Sequence, residues 1–258
     1  MIKKITVRII NSVKVRARAF LNGNRLRRSK KKLIKFHNIH EGKRCFIIGN
    51  GPSLVTRDLE KIQSEITFAS HRIYDIFPMT TWRPTYYCAQ DQKLIFESSQ
   101  KIDEIEVNDK FIASLRYGKV IKGIKKAKYV NLINEKFYPE LPKFSDDVTV
   151  GTYEGFTVTY MCIQLAVYMG FTEIYLLGVD HNYSVTMLPN GEILKNEDIK
   201  DYFGEGGKFV NIPQLYKSTL AYVSAEKYAT EHGIKIYNAT RGGKLDAFER
   251  VNFDNLFK

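Results

Sequence analysis

The sequence predicts a doubly wound α/β domain: a mostly parallel sheet with helices on both faces and a lid-like polar segment. Three observations predict it. Strand-like and helix-like stretches alternate from Lys43 onward, the order that builds βαβ units. Several strand-like stretches, CFII and EIYLL among them, are apolar at every position, as strands buried on both faces are. The first of them runs straight into GNGPSL, residues 49–54, and in such sheets ligands sit just beyond the carboxyl ends of the strands.

The elements follow in order. A basic extension, residues 1–42, precedes the folded domain, residues 43–258. Residues 1–44 hold 15 of the 40 Lys and Arg and one acid, Glu41, a net of +14; the remainder holds 25 basic and 27 acidic residues, a net of −2. In the extension Ile5, Ile9, Val13 and Phe20 fit one helical face with bases opposite. That pattern suits an anionic membrane surface, met through residues 1–40, or else a solvated basic arm. KRCFIIG is then a short strand and SLVTRDLEKIQ a helix. EITFAS and RPTYYCAQD are strands, the latter closing at Asp91. DQKLIFESSQKIDEI is a helix, and KFIASL and AKYVNLI are strands. FTVTYMCIQLAVYMG is a long apolar helix with Gly170 as its C-cap, and TEIYLLGVD is a buried strand. Residues 181–211 are polar and too long for an ordinary connection, as lids and substrate loops are. IPQLYKSTLAYVSAEKYATEHG is an amphipathic helix, closed by Gly233 and followed by the strand IKIYNAT.

Composition excludes several classes. A length of 258 residues suits one domain with a full core. The basicity belongs to the extension, so nucleic acid is not an expected partner. The three cysteines are widely spaced with no CxxC pair, which speaks against a zinc site; free thiols suit a reducing compartment. No apolar run reaches the roughly 18 residues of a membrane span, and no secretory signal is read at the N-terminus. The expected location is the cytoplasm, peripheral at the inner face of the cell membrane if the extension binds lipid. Oligomeric state is not legible.

The glycine turn is the most informative stretch. Gly49 and Gly51 let the backbone approach a ligand, Pro52 fits a first helical turn, and Ser53 can cap it or donate to an anion. A helix N-terminus there would favour a phosphate. The alternative is a tight turn whose glycines serve geometry alone. GNGPSL is neither the dinucleotide fingerprint, since Leu54 takes the last glycine's place, nor a P-loop.

GNGPSL after a first strand, the helix TYMCIQLAVYMGF, then EIYLLGVD and the late KIYNAT together resemble the bacterial sialyltransferases that modify surface glycans. They also resemble a broader family related to archaeal 6-hydroxymethylpterin diphosphokinase, often found among capsule and polysaccharide genes. The resemblance spans roughly residues 43–245 and implies a Rossmann-like or GT-A-like fold. It implies that Asn50, with Gly49, Gly51, Pro52 and Ser53, holds the nucleotide of a CMP-sugar. After the second strand it assigns the nucleotide contact to His71, beside Arg72, and after the third to Gln90 or Asp91. Thr157 and Thr159 fall near the phosphate. Tyrosines that neutralise the leaving phosphate are matched loosely by Asn182 and Tyr183; on chemical grounds Tyr183, Tyr202 or Arg241 could stabilise that phosphate. The family's general base is a histidine in a segment resembling DYFGEGG; here Glu205 falls at that place, with His181, next to Asp180, as its rival.

The residues themselves leave alternatives open. Asp180 either serves the site or caps a turn, and His181 and Glu205 are either functional or solvated. Asn238, Thr240 and Arg241 end the last strand, so they point to the ligand edge; Arg241 either binds a phosphate or makes a structural ion pair. Three functions are expected in competition. The first is a metal-independent glycosyltransferase acting on a nucleotide-sugar and a cell-surface glycan acceptor. The second is an ATP- and Mg²⁺-dependent diphosphokinase whose metal would want Asp91 and Asp180. The third is a non-catalytic nucleotide- or glycan-binding component.

Overall fold

The computed structural model describes residues 2–121, 123–202 and 211–258, with side chains from residue 11 onward. Nine strands form one sheet, and every pairing in it is parallel. They are β1 (Arg44–Ile48), β2 (Thr67–Ser70), β3 (Tyr86–Ala89), β4 (Asp109–Ser114), β5 (Ala127–Ile133), β6 (Thr152–Tyr153), β7 (Glu173–Leu177), β10 (Lys235–Asn238) and β11 (Glu249–Arg250), in the spatial order β11-β10-β7-β1-β2-β3-β4-β5-β6. The chain builds outward from β1 to β6, then returns to the other side of β1 with β7. The switch point therefore lies between β1 and β7.

Successive side chains of a strand alternate between faces, and β1 shows it. Cys45 and Ile47 join the apolar layer that holds the helix α5 (Val158–Tyr168); Phe46 and Ile48 join the opposite layer, with Leu59, Trp82 and Phe253. Ten of the eleven residues of α5 are buried, which is why its sequence is apolar all round rather than striped. The helix α6 (Leu215–Glu231) packs beside it. The cysteines Cys45, Cys88 and Cys162 are buried and unbridged.

Several boundaries differ from expectation. The helix expected from Ser53 is only α2 (Thr56–Lys61), because Leu54 N–H closes a turn onto Gly51 O (3.1 Å) and Val55 is extended. The stretch 91–105 is two short helices, α3 (Gln92–Glu97) and α4 (Ser99–Glu104), parted where Ser98 leaves helical geometry; serines compete with helical backbone bonds. After β2 a 3₁₀ segment, His71–Met79, was not legible. The polar segment after β7 contains an antiparallel hairpin, β8 (Val185–Met187) and β9 (Ile193–Lys195).

The extension is helical: α1 spans Ile2–Leu33. Its C-terminal part is docked on the domain, with Leu33 buried, Ser29 Oγ accepting the Tyr129 N–H (2.9 Å) and the Arg25 guanidinium 4.4 Å above the Tyr129 ring. Among the described residues no helix is long and apolar enough to cross a membrane.

Candidate functional site at the switch point

Beyond the carboxyl ends of β1, β2, β3 and β7 lies a cavity of about 710 Å³, within the usual size of small-molecule sites. Its floor begins at the glycine turn. Gly49 N–H donates to Leu177 O (2.8 Å) and Gly51 N–H to Gly178 O (2.9 Å). A Cβ on Gly49 would strike the Gly178 carbonyl, and one on Gly51 the Asp180 carboxylate. The glycines are thus required by the neighbouring turn, while their backbone still lines the cavity. Pro52 and Ser53 do not line it. Ser53 Oγ instead donates to Asp180 Oδ2 (2.7 Å), and burial raises the Asp180 pKa against that bond. No helix N-terminus lies at Ser53 to favour a phosphate there, since α2 begins three residues later.

Asn50 spans the ends of β1 and β2: its Nδ2 donates to Ser70 O (3.0 Å), and its Oδ1 is buried without a partner. Gln90, 6% exposed, likewise holds its Oε1 buried and unpartnered. Between them sits His71, in the left-handed region at φ 48°, an uncommon conformation for such a residue. Its Nε2 accepts the backbone N–H groups of Gln90 (3.2 Å) and Asp91 (3.3 Å), which puts the neutral ring's proton on Nδ1. Burial lowers its pKa to about 4, against the pull of Asp91. Asp91 caps α3 through Leu94 N–H (2.9 Å) and accepts from Asn211 Nδ2 (2.5 Å).

The opposite wall comes from α5, α6 and the turn after β7. Thr157 caps α5, accepting the Thr159 N–H (3.3 Å) and meeting the Tyr222 hydroxyl (3.1 Å). Both threonines line the cavity, and the first turn of α5 has no acid. His181 also has a positive φ, 52°. Its Nε2 lies 2.8 Å from Thr219 Oγ1, whose own proton goes to Leu215 O (2.8 Å). So Nε2 is the donor and Nδ1 keeps the lone pair. Burial lowers this ring's pKa to about 4 as well, with Asp246 opposing. Tyr183 and Tyr202 line the cavity, and burial raises both phenols.

Other expected residues lie elsewhere. Arg72 pairs with Asp75 (2.8 Å) and sits 5.7 Å above the Tyr202 ring, outside the lining. Arg241 makes a forked ion pair with the fully buried Asp58 (2.6 and 2.9 Å) and bonds Asp254, the structural alternative. Asn238 and Thr240 are buried: Asn238 Nδ2 bonds Leu245 O (2.8 Å), and Thr240 Oγ1 accepts the Val179 N–H (3.1 Å). Glu205 lies outside the described residues.

Sequence reasoning missed Glu154. It lines the cavity between β6 and α5 with Oε2 buried and unpartnered. Burial raises its pKa, opposed by Lys217. Its segment, TYEGFT, carries no motif. The other cavity carboxylates are committed: Asp91 and Asp180 as described, and Asp201 to Ser184 N–H (2.6 Å) and Oγ (2.5 Å). Among the described residues no three His, Cys, Asp or Glu are grouped to hold a metal ion.

An all-parallel doubly wound sheet with a cavity at its switch point places the protein among the Rossmann-like α/β proteins. The family is more particular: residues 20–186 match the family described as 6-hydroxymethylpterin diphosphokinase MptE-like, and the chain belongs to it. The match begins inside α1, earlier than the sequence resemblance suggested. The fold is also that of the MAf glycosyltransferase from Magnetospirillum magneticum AMB-1, with a TM-score of 0.52 and 14% identity, over 84% of this chain and 35% of that one. The chain thus corresponds to about a third of that protein. No curated protein matches the sequence.

Proposed function

We propose that the cavity binds a nucleotide-activated sugar, CMP-linked, and that the protein transfers the sugar to a hydroxyl of a cell-surface glycan. The reading rests above all on Asn50 Oδ1 and Gln90 Oε1, two buried acceptors without partners in one cavity. Each costs about 1–3 kcal/mol unpaired, and a ligand rich in N–H and O–H donors relieves that cost. The phosphate lies against the first turn of α5, where free N–H groups favour an anion. Tyr183 and Tyr202, kept protonated by burial, donate to the departing charge.

In this reading Glu154 takes the base role, having the uncommitted carboxylate and a raised pKa; His181, held low by burial, is the weaker base. The acceptor hydroxyl gives its proton to Glu154 and its oxygen bonds the anomeric carbon. The bond from that carbon to the phosphate oxygen breaks, and CMP leaves with the electron pair. The hairpin β8–β9, with Met187 on the lining, limits access of water.

Thermal unfolding with CMP, UDP, GDP and ATP tests the ligand. At 100-fold excess over Kd, CMP should add about 2.7 kcal/mol, and Asn50→Ala should reduce it. Glu154→Gln should lower turnover by about 10²–10⁴-fold while leaving CMP affinity intact. No stabilisation by CMP, or full turnover in Glu154→Gln, defeats this reading.

A second reading is favoured by the family description and by four carboxyl groups, Asp91, Glu154, Asp180 and Asp201, on one cavity. It is pyrophosphoryl transfer from ATP to a small alcohol, with Mg²⁺ neutralising the phosphates. The residues fit a dedicated metal site poorly, since three of those carboxylates are engaged within the protein. Stabilisation by ATP alone, abolished by EDTA, selects it.

A further inference from the structure

The helix α1 carries a surface that the cavity does not use. From Ile2 to Leu33 it holds twelve Lys and Arg and no acid. Among the described residues no ion pair involves a residue before Arg44, so the nine of these cations from Lys14 to Lys32 are not neutralised by an acid of the domain. One side of the helix is docked, through Asn22, Ser29 and Leu33. At 3.6 residues per turn, Val13, Ala17 and Phe20 fall on the side turned away from those three, with Leu21 on its flank. They are exposed, Phe20 at 69% and Val13 at 61%. Lys14, Arg16, Arg27 and Arg28 flank that stripe and are exposed as well.

The direction of α1 is set by its contacts. Asn22 Nδ2 donates to Leu115 O (3.0 Å) and Gly118 O (3.1 Å), in the turn after β4, and Leu115 lines the cavity. Leu33 O accepts from Tyr168 at the other end of the domain. The helix therefore runs against the strands. Ala19 and Phe20 still reach the domain at a second cavity beside Arg116 and Val150, and the helix before them, roughly 25 Å long, extends past the sheet edge where the main cavity opens.

We propose that this projecting stripe docks the protein on an anionic lipid surface, with Val13, Phe20 and Leu21 at the headgroup–acyl boundary and the flanking cations on lipid phosphates. Apolar residues on an exposed face between unneutralised cations have the chemistry of an interfacial helix, each cation contributing about 1 kcal/mol near such a surface. The chain beyond α1 is net neutral, with 28 basic and 28 acidic residues, so the positive charge is concentrated on α1 and orients it toward the lipid. The proposal is independent of the transferase reading, because its test involves no turnover.

Removing residues 1–40 is a poor test, since Asn22, Ser29 and Leu33 are part of the fold. The full chain should instead be sedimented with vesicles of phosphatidylcholine alone or with phosphatidylglycerol added. Binding is expected only to the anionic vesicles and should fall with salt. Val13→Ser with Phe20→Ser and Leu21→Ser should weaken it at least about tenfold, and so should Lys14→Gln with Arg16→Gln. Circular dichroism and the unfolding midpoint should stay unchanged, as all these side chains are exposed. Equal binding to neutral vesicles, no binding, or binding indifferent to both variants overturns the proposal. So does concentration-dependent self-association that the serine variant abolishes, which would assign the stripe to a second copy of the chain.

Discussion

His71 shows how a single residue can be both scaffold and site. Its ring accepts two backbone N–H groups at the start of α3, its carbonyl accepts the Tyr87 hydroxyl (2.7 Å), and its backbone is held at positive φ. Strained conformations persist where the surroundings over-determine them, and they cluster at functional sites. His71→Ala leaves two N–H groups without their acceptor and should cost about 1–3 kcal/mol, measured by urea unfolding at pH 7. The pH dependence has a definite sign. The folded pKa is depressed from 6.5 to about 4, so this stability is present above pH 6.5 and is lost as pH falls from there through about 4. The variant should therefore lose roughly 1–2 kcal/mol less than the parent between pH 7 and pH 5. His181, depressed likewise, keeps its own share of the slope. An unaltered slope in His71→Ala would mean that the ring titrates normally. His71 was legible only through resemblance; Glu154 was not legible at all, because its role depends on burial and on the commitment of its neighbours.

At the scale of elements, the turn after β1 was located correctly and explained incompletely. The apolar run CFII and the paired glycines marked a strand ending at the ligand edge. They did not reveal that the turn after β7 presses against it, because a sequence does not state which distant turn lies alongside. Asp180 carries the consequence: its carboxylate fills the space a Gly51 side chain would need and accepts from Ser53. Gly51→Ala should thus destabilise by about 1–3 kcal/mol through overpacking, even without ligand. If the glycine served ligand approach alone, the unfolding midpoint would stay fixed while only affinity fell. The two measurements separate the explanations. Short elements were the least legible: β6, β11 and the split between α3 and α4 depend on sheet edges and backbone competition rather than on periodicity. The long apolar α5 and the strand β7 were plain, since burial on nearly all sides leaves few polar positions, Gln164 among them, to confuse them.

For the whole molecule, charge segregation was visible from composition, but its architecture was not. The boundary drawn at residue 42 followed the change from basic to neutral composition. The chain instead docks the C-terminal part of α1 on β5 and the turn after β4, through Asn22, Ser29 and Leu33, which composition does not single out. One helix therefore has two mechanical halves. Residues 22–33 share the stability of the core, whereas residues 11–21 are mostly exposed, with Ala19 and Phe20 reaching the domain only at the rim of a second cavity, and depend largely on helix propensity, which is marginal in water for short segments. Local stability follows packing in this way, so amide hydrogen exchange should divide α1 near Asn22. Residues 24–33 should exchange with protection approaching that of β1 and β7, and residues 11–21 several orders of magnitude faster. Anionic vesicles should slow the second group alone, because an interface supplies the packing that the domain does not. Uniform protection along α1 in the absence of lipid would mean that its N-terminal half already has a partner, and the stripe would then be a covered face rather than an open one.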